Sequence, residues 1–312
     1  MNQDKNILYH YTSVYALYKI ITNKSLLLSG VQSLNDMEEA TYSVSEFEND
    51  FKTLYEKEKD NFLRTFYEIG FLPKKKEFEE SASIEIDPFV FSLSKKYDNL
   101  AHWDRYADSR KGVCIGLDIS KLNEIAFVAS GFVQISPIIY NEENRLEYFY
   151  KSLADKFFGN KSFRIVPEIP MDLLCKDMGY TFISDCYRQM KYFVKNTAWE
   201  DEEEIRLAYE DTITKDTFSQ IPHLQDVYKN VQFPDVKAAF TQSGLDVLRF
   251  ELINNKIRPC RFLDISSILK KGLITEVMLD PKCEQSKKDL DLFLKCNELI
   301  DVRISESKIM IR

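Results

Sequence analysis

Short apolar runs lie near both ends of the chain, and the long stretches between them carry helical spacing without a regular strand–helix alternation. A doubly wound parallel sheet requires that alternation, so its absence predicts an α+β fold: a central mixed or antiparallel sheet with helical elaborations. Leu8-Tyr9-His10-Tyr11 reads as a strand. Thr12 and Ser13 then offer a cap to a helix whose apolar face is Val14, Leu17, Tyr18 and Ile21. Leu26-Leu27-Leu28 is a second strand. An acidic helical stretch follows from Asn35 to about Ile69, with Phe47, Phe51, Leu54 and Tyr55 in helical register. Residues 73–87 are polar and charged, as in a surface loop. Further strands are expected at Phe89–Leu93, Val113–Leu117, within Gly131–Tyr140, and at Glu203–Tyr209, Arg258–Ile265, Ile274–Leu279 and Val302–Ile311. Helical segments are expected at Asn99–Tyr106, across 142–195 with breaks near Pro167 and Pro170, at Val236–Leu252 and at Ser286–Leu294. The expectation is one domain over residues 1–312, elaborated by helices at about 36–70 and 142–198.

Composition narrows the class. With 44% hydrophobic and 29% charged residues, the 312-residue chain has the profile of a globular protein. Forty-two basic residues against fifty acidic ones leave a net charge of −8, which argues against a broad phosphate-binding face. The opening Met1–Lys5 is polar and predicts no signal peptide, and no apolar run is long enough to span a membrane. A cytoplasmic location is therefore expected. Six cysteines stand without a C-x-x-C pair, as in a reduced chain, and only three histidines are present, so no metal is expected. Dinucleotide, P-loop and nucleophile-elbow motifs are all missing.

Three constellations can carry chemistry. In Tyr9-His10-Tyr11-Thr12-Ser13, alternation puts His10 and Thr12 on one strand face, where they can meet a ribose or phosphate. In the second, Ser92 and Ser94 share a strand face, and Trp103 and Tyr106 lie one helical turn apart beside Arg105, as an aromatic platform would. The third is the run from Trp199 to Arg206. In an extended strand Glu202, Glu204 and Arg206 share a face, and paired carboxylates beside an arginine suit acid/base and transition-state chemistry. Each also has a plain structural reading, as a capped core strand, a packed helix and an ion-paired edge.

Taken in order, these pieces resemble a bacterial family known only as a domain of unknown function. The resemblance rests on Leu8-Tyr9-His10-Tyr11-Thr12-Ser13, Ser33-Leu34-Asn35-Asp36, Phe91-Ser92-Leu93-Ser94 and Trp103-x-x-Tyr106-Ala107-Asp108-x-x-x-Gly112, then Trp199, Glu202-x-Glu204-x-Arg206 and Ile274-x-Glu276-Val277. Where His10 and Arg110 stand, that family often carries a basic residue and a histidine. A strand-borne His, a later Ser-x-Ser and a distal Glu-x-Glu also resemble the ADP-ribosyltransferase superfamily. That resemblance implies NAD as substrate. His10 would meet its ribose and Ser92 and Ser94 its nicotinamide end, or Tyr106 would be the aromatic that stacks on nicotinamide, with Thr12, Trp103 and Arg206 as further candidates for binding NAD. Glu204 would steady the oxocarbenium-like transition state, and Glu202 would orient the acceptor. The implied activity is ADP-ribosyl transfer or NAD hydrolysis without a metal, in a bacterial toxin or anti-phage defence effector, with a protein or a nucleic-acid base as acceptor. The competing expectation is a non-catalytic sensor or partner-binding module of a defence system, docking a protein through its acidic helical segments. A metal-dependent nuclease or phosphodiesterase ranks third, since Asp36, Asp108, Glu202 and Glu204 lack metal-binding spacing.

Overall fold

The structure is a computed structural model that describes residues 6–31, 44–58, 64–76, 88–128, 133–141, 144–148, 187, 190, 192–209, 244–245, 247–253 and 255–309. Along the chain run β1 (Ile7–Thr12), α1 (Val14–Asn23), β2 (Ser25–Gly30), α2 (Val44–Glu58), β3 (Phe89–Ser94), α3 (Leu100–Tyr106), β4 (Val113–Asp118) and α4 (Ile119–Val128). They are followed by β5 (Val133–Pro137), β6 (Glu204–Tyr209), β7 (Arg249–Ile253), β8 (Lys256–Asp264), β9 (Ile274–Leu279), α5 (Lys287–Cys296) and β10 (Arg303–Glu306). Two compact units result: Met1–Leu34, Pro88–Pro137 and Asp201–Arg312 form one, Asn35–Asp87 and Ile138–Glu200 the other.

Among the described residues the first unit holds a ten-stranded sheet in the order β10-β9-β4-β1-β3-β2-β8-β7, with β6 on β3 and β5 on β6. All pairs are antiparallel except β10 with β9, so the sheet is mixed and the fold is α+β. β3 is the branch point. β6 runs along all six of its residues, whereas its other edge is shared: Phe89 and Val90 pair with β2, and Ser94 pairs with Tyr9 of β1. Between those contacts His10 Nδ1 lies 2.9 Å from the Ser92 carbonyl oxygen. A carbonyl only accepts, so Nδ1 carries the proton. The imidazole stacks on Phe91 at 4.2 Å, and burial pushes its pKa down to about 4.

One sheet face carries the main core. Leu8, Phe91, Ile115, Leu207 and Val277 meet Leu17 and Ile21 of α1, Leu122 and Ile125 of α4, and Leu290 and Leu294 of α5. Each large apolar side chain removed from water contributes roughly 1.5–3 kcal/mol. α1 begins where expected: the Ser13 hydroxyl accepts from Ala16 N at 3.1 Å. On the opposite face Tyr11, Trp103, Ala107, Cys114 and Met278 form a smaller cluster. After α3 the backbone makes a left-handed turn, with φ of 50°, 52° and 73° at Asp108, Ser109 and Arg110. Such residues cost about 1–2 kcal/mol each. Gly112 closes the turn: its N donates to Ala107 O at 2.8 Å, and a Cβ there would stand 2.1 Å from Thr12 O. This explains the ten-residue spacing of the Trp103-to-Gly112 block.

In the second unit, Phe47, Phe51 and Leu54 of α2 are buried as their spacing predicts. The side chain of Tyr55 lies outside the described residues. Phe47 packs edge-on to Phe71 and Tyr187, and Phe51 to Tyr67. Glu48 accepts from Lys75 Nζ at 2.6 Å and the Tyr67 hydroxyl at 2.8 Å. Burial raises its pKa, but the bonds from Lys75, Lys52 and Tyr67 outweigh that and hold it near 2. Arg145 grips Asp50 with two bonds, at 2.5 and 3.0 Å.

Several expectations shift. Leu72–Lys74 is a 3-10 turn where a loop was expected, and residues 77–87 lie outside the described set, as do Asn35, Asp36, 149–186 and 236–243. Arg249–Ile253 forms β7 instead of the end of a helix. A strand wins there because Asn255, at φ 60°, turns the chain back and β8 supplies a partner. The helix α4 was not anticipated. Its start is set by Asp118, whose Oδ1 accepts from Ser120 N at 2.9 Å and Ser120 Oγ at 2.7 Å.

Two predictions follow from these junctions. His10 titrates at about 4 when folded, below the ordinary value of 6.5, so the unfolded chain binds the proton first as pH falls. Its contribution is complete above 6.5 and lost between 6.5 and 4, on the order of 3 kcal/mol. Urea midpoints measured from pH 7.5 to 4.5 should fall less steeply for His10→Asn than for the native chain; equal slopes would refute the role. Gly112→Ala should cost more than about 3 kcal/mol or prevent folding. Gly272→Ala, at φ 89° in open space, should cost only about 1–2 kcal/mol in the same melts.

Candidate functional site

Strand register gathers polar side chains on the face opposite the main core. Glu276 pairs with Gly116, Gly116 with Tyr9, Tyr9 with Ser94, and Ser94 with Glu204. These five residues form one lateral row across β9, β4, β1, β3 and β6. At the usual strand spacing its two carboxylates stand roughly 19 Å apart along the row. One step away, Ser92 of β3 pairs with Arg206 of β6, and Arg206 with Ser136 of β5.

At the β6 end a 3-10 turn, Thr197–Glu202, runs into Glu203 at φ 43°, and the strand begins only at Glu204. Strand alternation therefore does not place Glu202 beside Glu204; the left-handed residue between them does. The Glu202 carbonyl accepts from Ser94 Oγ at 2.6 Å. Its buried carboxylate accepts from the Tyr106 hydroxyl and lies 3.5 Å from Nη1 of the half-exposed Arg105. Burial, then the charge of Glu202, raises the Tyr106 pKa well above the usual phenol value, and Glu204 adds to the effect. Glu204 is itself gripped by Arg206, Nε to Oε1 at 3.0 Å and Nη2 to Oε2 at 3.1 Å. The guanidinium is among the most deeply buried groups of the chain, with 1% of the residue exposed. Glu203 turns outward to Lys96, at 2.8 Å.

Of the residues singled out from the sequence, Ser92, Ser94, Tyr106, Glu202, Glu204 and Arg206 thus meet on this face. His10 and Thr12 project to the other face: His10 bonds Ser92 from within the core side of the sheet. Trp103 is sealed, its Nε1 donating to Asp98 Oδ1 at 2.9 Å, so the aromatic left near Glu202 is Tyr106. The sequence reading passed over His102, a buried residue on α3. Its Nδ1 donates to Asn99 Oδ1 at 3.0 Å, and its ring lies 5.0 Å from Tyr11 and 5.8 Å from Tyr106. Burial lowers its pKa against the opposing charge of Glu202. The four-residue spacing of His102 and Tyr106 on one helix face was the available signal. Tyr11 pins the adjoining loop, donating to Lys96 O at 2.8 Å and accepting from Asn99 N at 3.0 Å.

At the other end of the row, Glu276 accepts from Arg303 Nη2 at 2.6 Å and Ser305 Oγ at 2.5 Å. Tyr9 meets Tyr97 edge-on at 5.2 Å, and burial, then Glu276, raises its pKa to about 12. Among the described residues no group of three or more His, Cys, Asp or Glu is arranged to hold a metal ion, and no helix is long and apolar enough to cross a membrane. The arrangement offers fixed acceptors, Glu202 and Glu204, each oriented by a different donor set. Such a surface binds hydroxyls or stabilises developing positive charge.

No curated protein and no solved structure matches the chain. A family model, described as "Protein of unknown function (DUF2971)", matches residues 102–207, from α3 through the left-handed turn to β6. That segment carries both the Trp103-to-Gly112 block and the Glu202-x-Glu204-x-Arg206 block, so the similarity to this family of proteins of unknown function spans the stretch that holds the polar face.

Proposed function

We propose that the face bearing Ser94, Tyr106, Glu202 and Glu204 binds NAD and cleaves its ribose–nicotinamide bond, passing ADP-ribose to an acceptor or to water. One observation carries this reading: two buried carboxylates, close enough that Tyr106 feels both, are fixed on one sheet face by separate donors. In the reaction the bond between ribose C1′ and the nicotinamide nitrogen breaks, and its electron pair leaves with the neutral base. Positive charge then spreads over C1′ and the ring oxygen until a hydroxyl or amine of the acceptor, or water, adds and loses its proton. A carboxylate already oriented toward that charge favours the transition state over the ground state.

This reading assigns the parts differently from the superfamily resemblance. Glu204 is committed to Arg206, whereas Glu202 is held by a neutral phenol beside a half-exposed arginine. Glu202 is therefore the carboxylate assigned to the ribose, and Glu204 with Arg206 positions the strand beneath it. Arg105, nearer to solvent, suits the pyrophosphate. A bacterial toxin or defence effector acting in the cytoplasm, with a protein or nucleic-acid base as acceptor, is the setting this chemistry fits. The Glu204–Arg206 pair favours a second reading, because two charges that satisfy one another are also what a non-catalytic partner-binding module would bury.

Nicotinamide release by the purified protein, with and without bacterial lysate, separates the two. Glu202→Gln should lower release by about 100-fold or more while leaving the thermal midpoint close to that of the native chain. Undiminished release by Glu202→Gln would remove this residue from the mechanism. Absence of release, together with no heat of NAD binding, would leave the partner-binding reading.

A further inference from the structure

β7 ends the strand order and pairs only with β8 among the described residues. Arg249 is exposed on it, and so are two large apolar side chains: Phe250 is 63% exposed and Leu252 69%, with Ile257, opposite Leu252 on β8, at 76%. Leu248, just before the strand, is exposed as well. A soluble chain seldom leaves an apolar face beside a row of unpaired main-chain donors and acceptors.

Register with β8 identifies the main-chain groups that β8 leaves unpaired. Phe250 stands opposite Pro259, and proline has no N–H. The pair cannot exchange hydrogen bonds, so the Phe250 N–H and C=O point away from β8 to the open edge. By alternation those of Leu248 and Leu252 do the same. Two copies related by a two-fold axis join antiparallel only when such outward residues face each other, so the axis passes at a residue and not between two, and the register centred on Phe250 is flanked by those centred on Arg249 and Glu251. Centred on Arg249 the pairing sets two arginines opposite one another; centred on Glu251 it sets two glutamates. Centred on Phe250 it sets Arg249 opposite the partner's Glu251 twice over, and it brings Phe250 against its own copy with Leu248 beside the partner's Leu252. Among the described residues neither Arg249 nor Glu251 has an ion-pair partner; the Arg249 guanidinium rests over the Phe262 ring at 5.1 Å.

We propose that the protein forms a two-fold dimer by joining β7 to β7 of a second copy, in the register centred on Phe250. The charge pattern selects this register over its neighbours, and the apolar face becomes continuous across the axis.

Sedimentation equilibrium of the full chain over a range of concentrations tests the proposal. The native chain should be a dimer. Arg249→Glu and Glu251→Arg should each weaken it by about tenfold or more in Kd, because like charges then stand opposite. The combined variant, which restores opposite charges by exchange, should recover dimerisation. A monomeric native chain overturns the proposal, and so does a dimer indifferent to either single reversal. A combined variant that stays monomeric overturns the register and the proposal with it.

Discussion

A strand has two edges, and β3 must serve three strands with them. β6 takes one edge entirely, so β1 and β2 divide the other and leave the Ser92 carbonyl facing neither. A buried carbonyl without a donor costs about 1–3 kcal/mol. The His10 ring supplies that donor, held in the required tautomer by an interior that keeps it neutral. Everything on the polar face depends on this junction. Among the described residues, the Tyr9–Ser94 pairing is the only register contact that joins the β9-β4-β1 side of the row to the β3-β6 side. Were β1 to drift from β3, Glu276 and Tyr9 would no longer share a surface with Ser94 and Glu204.

Burying Glu204 with Arg206 adds little net stability, because desolvation of both charges offsets most of their attraction. What the pair provides is orientation, since a planar guanidinium with two bonds to one carboxylate leaves that carboxylate a single rotamer. The neighbouring groups are similarly fixed through neutral pH. Tyr106 keeps its phenol proton because burial and Glu202 both oppose losing it, and His102 remains uncharged because burial outweighs the nearby carboxylate. Tyr106 and His102 thus keep their donor and acceptor roles over the physiological range. Such fixed dipoles need little rearrangement when a charged ligand arrives.

Much of this was legible in the sequence because local rules governed it. Alternation placed Ile205 and Leu207 in the core, with Glu204 and Arg206 opposite, and Ser13 capped α1 as its position suggested. The junctions were harder. His10 and Thr12 were grouped with Ser94 and Glu204 from motif order alone, but order along a chain does not state which sheet face a residue takes once strands pair. Trp103 and Tyr106 looked equivalent at helical spacing, yet one is sealed against Asp98 and the other reaches Glu202. Glu202 joined its neighbours for a reason the strand pattern did not contain, the left-handed Glu203. The β7 segment reads as the end of a helix because its apolar residues fit either period over so short a run, and the partner that makes it a strand, β8, comes after it in the chain.

The strand order also bears on how the chain is made. β1 sits near the middle of the sheet, and its long pairing is with β4, which begins at residue 113; β4 in turn waits for β9 at residue 274. During synthesis, at roughly 5–20 residues per second, the first strand emerges many seconds before the sheet around it can close. Until then both its edges are bare, and helix α1 covers a surface not yet built. Sheets assembled from such distant pairings fold slowly and pass through states that expose unpaired strands. The order of synthesis and the order of pairing are therefore different in this sheet, and the strand made first is among the last to have both edges covered.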